Sequence, residues 1–251
     1  MVVCVHGAAD RGAAFARVGR SLPGVDLVRF DRRGYGRSQP LEAGAGSLDA
    51  QVADVVGVVD WALGQHGGSV PVVVCGHSHG GLLALGAALA DRRVSGVVAW
   101  EPPMPWAPWW SSGRQAAGAA ARTVTSAEGD DPAGDTMESF LRRMIGDERW
   151  EALPLSVRAT RRAEGPALLA DLAAARAAGT LPLGDVGVPV VLGLGGATAE
   201  RHRRAVAELA TVFGEVEVVE VPGADHGAHL THPAAVADAV LRCLAMVGQR
   251  G

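Results

Sequence analysis

Ser78 has the sequence surroundings of a covalent nucleophile. Residues 76–80 read GHSHG and fit the pattern G-x-S-x-G. An apolar run at 71–75 predicts a buried strand before this segment, and residues 81–90 predict a helix after it. A sharp strand-to-helix turn lifts the serine Oγ above the sheet, and the flanking glycines avoid a Cβ clash. We therefore predict that Ser78 attacks a carbonyl group; the alternative is a tight turn with an incidental serine.

A negative oxygen formed by that attack needs two fixed N–H donors. One is predicted to be the backbone N–H of His79, which follows the nucleophile. The other donor should come from the loop after the first strand, where Ala8 is the predicted residue. His6 ends that strand, and we expect it to be packed and hydrogen-bonded rather than catalytic.

His226 is the predicted general base, because it stands in the loop after the last predicted strand. His229 and His232 follow at three-residue spacing, which suggests a metal site as an alternative. No carboxylate or cysteine set completes such a site, and helical spacing would spread the three rings around the axis. We expect no metal and no other cofactor, with His229 packed near the start of the last helix.

Glu101 is the predicted acid that orients the base. The loop after the fifth strand, residues 195–199, has no carboxylate where one is expected. Glu101 ends the strand predicted to lie beside the nucleophile strand, from which it can reach the far nitrogen of His226. Three alternatives stay open: Glu101 only caps the following turn, Asp225 is the acid, or no carboxylate contacts the base directly.

The elements that must position these residues alternate between strands and helices. Strands are predicted at 2–5, 25–30, 71–75, 94–100, 188–192 and 216–221, and helices at 51–63, 81–90 and 233–247. Short apolar runs separated by helices predict an α/β fold with a mostly parallel sheet covered on both faces. Residues 102–186 show no strand, so we predict a helical cap inserted into a core of residues 1–101 and 187–251.

Several of these segments together resemble the α/β-hydrolase family. The resemblance rests on residues 6–7, on DRRGYGRS at 31–38, on the serine turn and on residues 223–226. Thr198 stands where the family usually has Asp, and EPP at 101–103 resembles a subgroup whose acid follows the fourth strand. Dehalogenases and epoxide hydrolases of this fold carry Asp at the nucleophile position, so Ser78 argues against both. The chain starts at the strand that is usually third, which places 25–30 at the sheet edge.

The resemblance and the residues imply hydrolysis of an ester or thioester through an acyl-enzyme on Ser78. The predicted pocket side chains are Met104, Trp106, Trp109 and Trp110, which suit a hydrophobic small molecule. The alternative is that these rings attach the cap to the core. Because fold does not determine chemistry, a lyase, a carbon–carbon bond hydrolase, a cyclase or a ligand-binding receptor are alternative functions.

Composition limits the remaining function classes. The chain has 251 residues, 48% of them hydrophobic, and a formal net charge of -4. This charge favours neither nucleic acid nor an anionic membrane as a partner, and no run is long enough to span a bilayer. Three separated cysteines indicate free thiols in a reducing compartment. We expect a cytoplasmic monomer or homodimer, with a true start either at Met1 or upstream of it.

Overall fold

A six-stranded sheet forms the centre of the molecule, and every pair of neighbouring strands in it is parallel. The computed structural model describes residues 1–40, 42, 46–67, 70–110 and 131–250. The strands are β1 (Val2–Val5), β2 (Leu27–Arg29), β3 (Val72–His77), β4 (Val94–Trp100), β5 (Val190–Gly195) and β6 (Val216–Val221). Their spatial order is β2-β1-β3-β4-β5-β6, which confirms the predicted fold class and the edge position of β2.

Ten α-helices accompany the strands in the part of the chain that the structure describes. They are α1 (Ala16–Arg20), α2 (Leu48–Gln65), α3 (His79–Ala90), α4 (Pro132–Ile145), α5 (Asp147–Glu151), α6 (Leu155–Arg162), α7 (Gly165–Ala177), α8 (Glu200–Ala210), α9 (Ala228–Thr231) and α10 (Pro233–Gly248). None of the described helices is long and apolar enough to cross a bilayer.

The two faces of the sheet carry separate hydrophobic cores, because successive strand residues point to opposite sides. Val3, Val5 and Val74 pack with residues of α2, α3 and α8 on one face. Val2 and Cys4 pack with residues of α1 and α10 on the other. A third cluster joins α4, α5 and α7 to Ala9 and Tyr35, in the loops after β1 and β2. The helices between β4 and β5 therefore rest on the carboxyl ends of the first two strands.

The register of β3 and β4 brings the nucleophile turn and Glu101 to the same edge. His77 pairs with Trp100, so Ser78 and Glu101 directly follow two paired residues. The Ser78 N–H donates to Trp100 O at 2.7 Å, and the Glu101 N–H donates to Gly193 O at 2.9 Å. The sequence expectation that Glu101 follows the strand adjacent to the nucleophile strand is thus confirmed.

Two of the differences from the sequence expectation lie close to the predicted site. Strand β5 continues through Gly193 and Gly195 instead of ending near 192. A Cβ at Gly193 would lie 2.2 Å from the Trp100 ring, and one at Gly195 would lie 2.2 Å from Ala224 O, so packing requires both glycines. Helix α8 was not predicted at all, since its Arg-rich exposed face obscures a buried stripe at His202, Ala205, Val206 and Leu209.

Candidate active site

Ser78 occupies a strained turn between β3 and α3. Its backbone has φ 53° and ψ -122°, a conformation that side-chain-bearing residues rarely adopt. A Cβ at Gly76 would lie 2.1 Å from Gly80 O, and one at Gly80 would lie 2.1 Å from Val5 O. Only glycine at both positions lets β1, β3 and α3 approach closely enough to hold this turn. The structure thus contains the strand, sharp turn and helix that the sequence predicts around Ser78.

Glu101 and His226 meet at the edge of the sheet beside this turn. Glu101 Oε2 lies 2.6 Å from His226 Nδ1, and the Glu101 side chain has 0% of its surface exposed. Two further groups donate hydrogen bonds to the Glu101 carboxylate. The Gly195 N–H donates to Oε1 at 2.7 Å, and the Thr198 hydroxyl donates to Oε2 at 2.7 Å. Burial raises the pKa of Glu101, but these hydrogen bonds outweigh it and hold that pKa below its usual value.

Thr198 donates a hydrogen bond to the Glu101 carboxylate. It stands in the loop after β5, at the position where the sequence analysis expected an acid and found none. The loop after β5 supplies a hydroxyl and an N–H to Glu101 instead of a carboxylate to His226. Asp225, the alternative acid, is exposed, and its Oδ1 accepts from Gly227 N–H at 2.8 Å within its own turn. The described contacts therefore pair His226 with Glu101 and leave Asp225 as a turn residue.

His226 belongs to a row of four imidazole rings. His202 stacks on it, with ring centroids 4.3 Å apart and 26° between the planes, and His77 is tilted against it by 49° at 4.6 Å. His229 continues the row beyond His77 at 4.0 Å. His77 also donates from Nε2 to His226 O at 2.8 Å, which connects the base to the residue just before Ser78.

The rings of His202 and His77 are uncharged at neutral pH. Desolvation by burial lowers the pKa of His202 to about 3 and that of His77 well below its usual value. Two neutral aromatic rings therefore hold the imidazole of His226 in place without adding charge. His229, as expected, packs next to the last helix, where Nε2 lies 3.0 Å from Asp10 Oδ2.

Two groups in the described part of the chain have the residue types of a metal site. Glu101, His202 and His226 form one group, and Asp10, His77 and His229 form the other; in each, the potential ligand atoms lie within 4.8 Å of one another. In the first group the rings of His202 and His226 stack with 26° between their planes, and in the second the rings of His77 and His229 are tilted by 33°. In each group one imidazole nitrogen already contacts the carboxylate: His226 Nδ1 lies 2.6 Å from Glu101 Oε2, and His229 Nε2 lies 3.0 Å from Asp10 Oδ2.

The residues predicted to carry the two N–H donors both belong to segments next to Ser78: His79 follows it directly, and a Cβ at Gly7, just before Ala8, would lie 3.2 Å from Ser78 Cβ. His79 begins α3, and the first N–H groups of a helix have no partner inside it. Ala8 is half-buried in the loop after β1. The next residue, Ala9, has φ 53° and donates its N–H to the Tyr35 hydroxyl at 3.3 Å.

His6 is a packed residue, and this sequence prediction is confirmed. It is fully buried, its Nε2 accepts from Arg32 N–H at 2.9 Å, and its Nδ1 donates to Gly7 O at 2.8 Å. Burial, together with the charge of Arg32, lowers the pKa of His6 to about 3. A neutral imidazole with both nitrogens engaged has no proton to exchange with a substrate.

The four predicted pocket side chains contact the core. Trp106 packs against Gly179, where a Cβ would lie 2.6 Å from the indole. The Trp109 ring lies under the Arg204 guanidinium at 4.5 Å, and Trp110 meets His202 edge-on at 5.2 Å. Met104 packs against the core formed by α2, α3 and the sheet. Trp109 and Trp110 thus attach the segment after β4 to α8, and Trp110 contacts the ring that stacks on His226.

His202 and Asp171 are the residues near the site that the sequence analysis missed. His202 lies on the unpredicted helix α8, and recognising its buried stripe would have placed it beside the base. Asp171 is the one carboxylate within the Ala- and Leu-rich helix α7, and it is buried. A lone acid on an apolar helical face is a local signal for a buried partner, but its partner lies far away in the sequence.

Comparisons with known proteins agree with this geometry. The profile of the Alpha/beta hydrolase family matches residues 2–239. Lipase LipV of Mycobacterium tuberculosis is 32% identical over 102 residues, which cover 40% of this chain and 36% of the lipase. The matched region thus spans about a third of that relative's length.

Solved structures share the fold. A thermophilic esterase from Thermogutta terrifontis matches with a TM-score of 0.68 and 22% identity, covering 98% of this chain and 89% of the esterase. The enol-lactonase from Burkholderia xenovorans LB400 matches with a TM-score of 0.69 and 20% identity, covering 97% of this chain and 90% of the lactonase. The parallel sheet, the strained serine turn and the family profile lead to one conclusion: this chain belongs to the α/β-hydrolase family.

Proposed function

We propose that this protein is a serine hydrolase that cleaves an ester or thioester of a hydrophobic small molecule. The observation that carries the proposal is the 2.6 Å contact between Glu101 Oε2 and His226 Nδ1, next to the strained turn of Ser78. A lipase, an esterase and an enol-lactonase among the similar proteins support hydrolysis of a carboxylic ester.

The contact with Glu101 determines how His226 works. The carboxylate accepts a hydrogen bond from Nδ1–H, so Nε2 carries the lone pair that removes the proton from Ser78 Oγ. Oγ then forms a bond to the substrate carbonyl carbon, and the carbonyl oxygen becomes negative. The N–H groups of Ala8 and His79 stabilise that oxygen by hydrogen bonding.

The tetrahedral intermediate then collapses to an acyl-enzyme. His226 returns its proton to the leaving alcohol or thiol as the bond to the carbonyl carbon breaks. A water molecule next gives a proton to His226 and attacks the acyl carbon. The second collapse releases the carboxylic acid and restores the proton to Ser78. Glu101 remains ionised throughout, which agrees with the lowered pKa of its carboxyl group.

The helices after β4 supply the acyl pocket in this proposal. The predicted cap of residues 102–186 sits over a core of residues 1–101 and 187–251. Its described helices are α4 to α7, and residues 111–130 of the predicted cap lie outside the described residues. Trp110 contacts His202, and His202 stacks on His226. A continuous row of aromatic rings therefore connects the predicted cap to the base. Met104, Trp106 and Trp109 continue this apolar region, which favours a hydrophobic acyl or alcohol group.

The test is covalent labelling followed by turnover. A fluorophosphonate should label Ser78 in the folded protein, as located by mass spectrometry, and Ser78→Ala should remain unlabelled. A panel of aryl esters and thioesters of increasing chain length then identifies the acyl preference. Folded protein that leaves Ser78 unlabelled and turns over no member of the panel would contradict the proposal and favour a ligand-binding receptor on the same fold.

A further inference from the structure

Helix α7 carries one carboxylate on its buried face, and that carboxylate forms a bidentate ion pair with the core. Asp171 is 2% exposed, and Arg32, in the loop after β2, is 3% exposed. Arg32 Nη1 donates to Oδ1 at 2.8 Å, and Nη2 donates to Oδ2 at 2.6 Å. Burial raises the pKa of Asp171, but Arg32 and His79 overcome that effect and bring it to about 2.

The same guanidinium holds the loop that leads to Ala8. Arg32 Nε donates to His6 O at 2.9 Å, and its Nη2 donates to Gly7 O at 3.0 Å. The rigid fork of an arginine fixes the angle between its acceptors, so Asp171 on one side orients the two carbonyls on the other. The backbone immediately before Ala8 is thus tied to helix α7 through one planar group.

Two further contacts extend the network to both predicted N–H donors. The Tyr35 hydroxyl donates to Asp171 Oδ2 at 2.7 Å and accepts from Ala9 N–H at 3.3 Å, which holds the residue just after Ala8. His79 Nε2 lies 3.4 Å from Asp171 Oδ1 and 2.8 Å from Gln51 Oε1. Asp171 therefore contacts, directly or through one side chain, the segments that carry both donors.

We propose that Asp171 is a positioning residue for the oxyanion site, so that a residue of the helices after β4 sets the geometry of N–H donors that belong to the core. This role rests on the function proposed above. Donors stabilise a developing negative oxygen only if they are fixed before the reaction, and a displacement of about 1 Å can cost roughly 100-fold in rate. The polar groups around Asp171 and Arg32 fix the donors in this way. They are His6 O, Gly7 O, the Tyr35 hydroxyl, Gln51 Oε1 and His79 Nε2.

A purely structural ion pair would behave differently. Buried ion pairs can often be replaced by apolar residues of similar volume without loss of stability. Such a replacement would still attach α7 to the core, but no guanidinium would orient His6 O and Gly7 O. The double variant Arg32→Met/Asp171→Leu thus separates attachment of the helix from orientation of the loop.

The experiment compares Asp171→Asn, the double variant and a control. The control is Asp135→Asn, whose carboxylate accepts from Arg162 Nη2 at 2.6 Å between two helices of the same segment and contacts neither predicted donor. For each protein, kcat and KM are measured on the best aryl ester, with the affinity for an aryl boronic acid as a mimic of the tetrahedral intermediate. We expect Asp171→Asn and the double variant to lose roughly 100-fold in kcat and in boronate affinity, with KM within about threefold of the parent.

The outcomes distinguish a role of Asp171 in orienting the loop before Ala8 from a role only in attaching helix α7 to the core. Asp135→Asn should keep parental kcat, and the double variant should recover much of the stability lost in Asp171→Asn while kcat stays low. Recovery of kcat together with stability would overturn the proposal, because the pair would then serve only to attach the helix.

A second readout does not depend on turnover. Hydrogen exchange of the Ala9 amide should be faster in Asp171→Asn than in Asp135→Asn, and unchanged exchange would overturn the proposal. If the parent protein leaves Ser78 unlabelled and hydrolyses no ester, the proposed function fails, and the exchange of Ala9 still decides whether Asp171 holds the loop.

Discussion

Glu101 at the edge of the sheet and Asp171 on the buried face of helix α7 are both almost completely buried carboxylates, yet their closest partners differ in kind. Glu101 contacts an imidazole, a hydroxyl and an N–H, of which only the imidazole can change its charge. Asp171 contacts a guanidinium, which stays charged at every relevant pH, the Tyr35 hydroxyl and the imidazole of His79, whose pKa burial lowers to about 4. The first arrangement can gain and lose a proton during a reaction, whereas the second holds a constant charge pattern and so suits a fixed support.

The largest effects should follow from removing the groups that exchange the proton. Ser78→Ala and His226→Ala should each lower kcat by about 10⁵ to 10⁶, and the double variant should be no worse, because the residues act as one unit. The measurement is steady-state turnover of an activated aryl ester. His229→Ala is the control, since His229 contacts Asp10 and not Glu101, and its kcat should remain near that of the parent. An equal loss in His229→Ala would disprove the assignment of the base.

Replacing Glu101 tests the carboxylate that orients the base. Glu101→Gln keeps the shape but favours the wrong imidazole tautomer, which should cost roughly 10³ to 10⁴ in kcat. The exposed Asp225 supplies the control, because Asp225→Asn removes a carboxylate one residue from the base and should change kcat little. A Glu101→Gln variant that keeps kcat within about tenfold of the parent would show that Glu101 only supports its turn.

The buried imidazoles and the Asp171 ion pair should respond differently to acid. Burial lowers the pKa of His6, His77, His79 and His202. Below about pH 6.5 the unfolded chain binds protons that these rings in the folded protein do not, so stability falls as pH decreases. Each ring should cost on the order of 1 kcal/mol between pH 7.5 and 5.5.

Urea unfolding at the two pH values measures this loss. The pKa of Asp171 is also lowered, so its stabilisation is present above the usual aspartate range and disappears only as pH falls towards about 2. The ion pair with Arg32 should therefore persist at pH 5.5. Equal free energies of unfolding at pH 7.5 and 5.5 would show that the imidazoles are protonated in the folded protein.

The sequence reveals one of these regions better than the other. Parallel strands are short apolar runs, so the positions at which they end can be predicted, and Ser78, Glu101 and His226 all follow strand ends. Asp171 and Arg32 are 139 residues apart, and no local pattern pairs a charge on a helix with a particular charge in a loop. Helix α8 was missed for a similar reason, because burial of His202 against His226 depends on tertiary packing that its Arg-rich sequence does not show.

The smallest expected effect concerns the neutral ring that packs on the base. His202 lies face-on to His226, with 26° between the ring planes, and Trp110 closes its other side. If the stack only restrains the base, an aromatic ring without nitrogen atoms should replace His202. We expect His202→Phe to keep kcat within about threefold, and His202→Ala to lose about tenfold because the imidazole can then rotate away from Ser78. Turnover of the same aryl ester, with thermal unfolding as the control for folding, measures both. Equal losses in the two variants would mean that a nitrogen of His202, and not its aromatic face, contributes to the reaction.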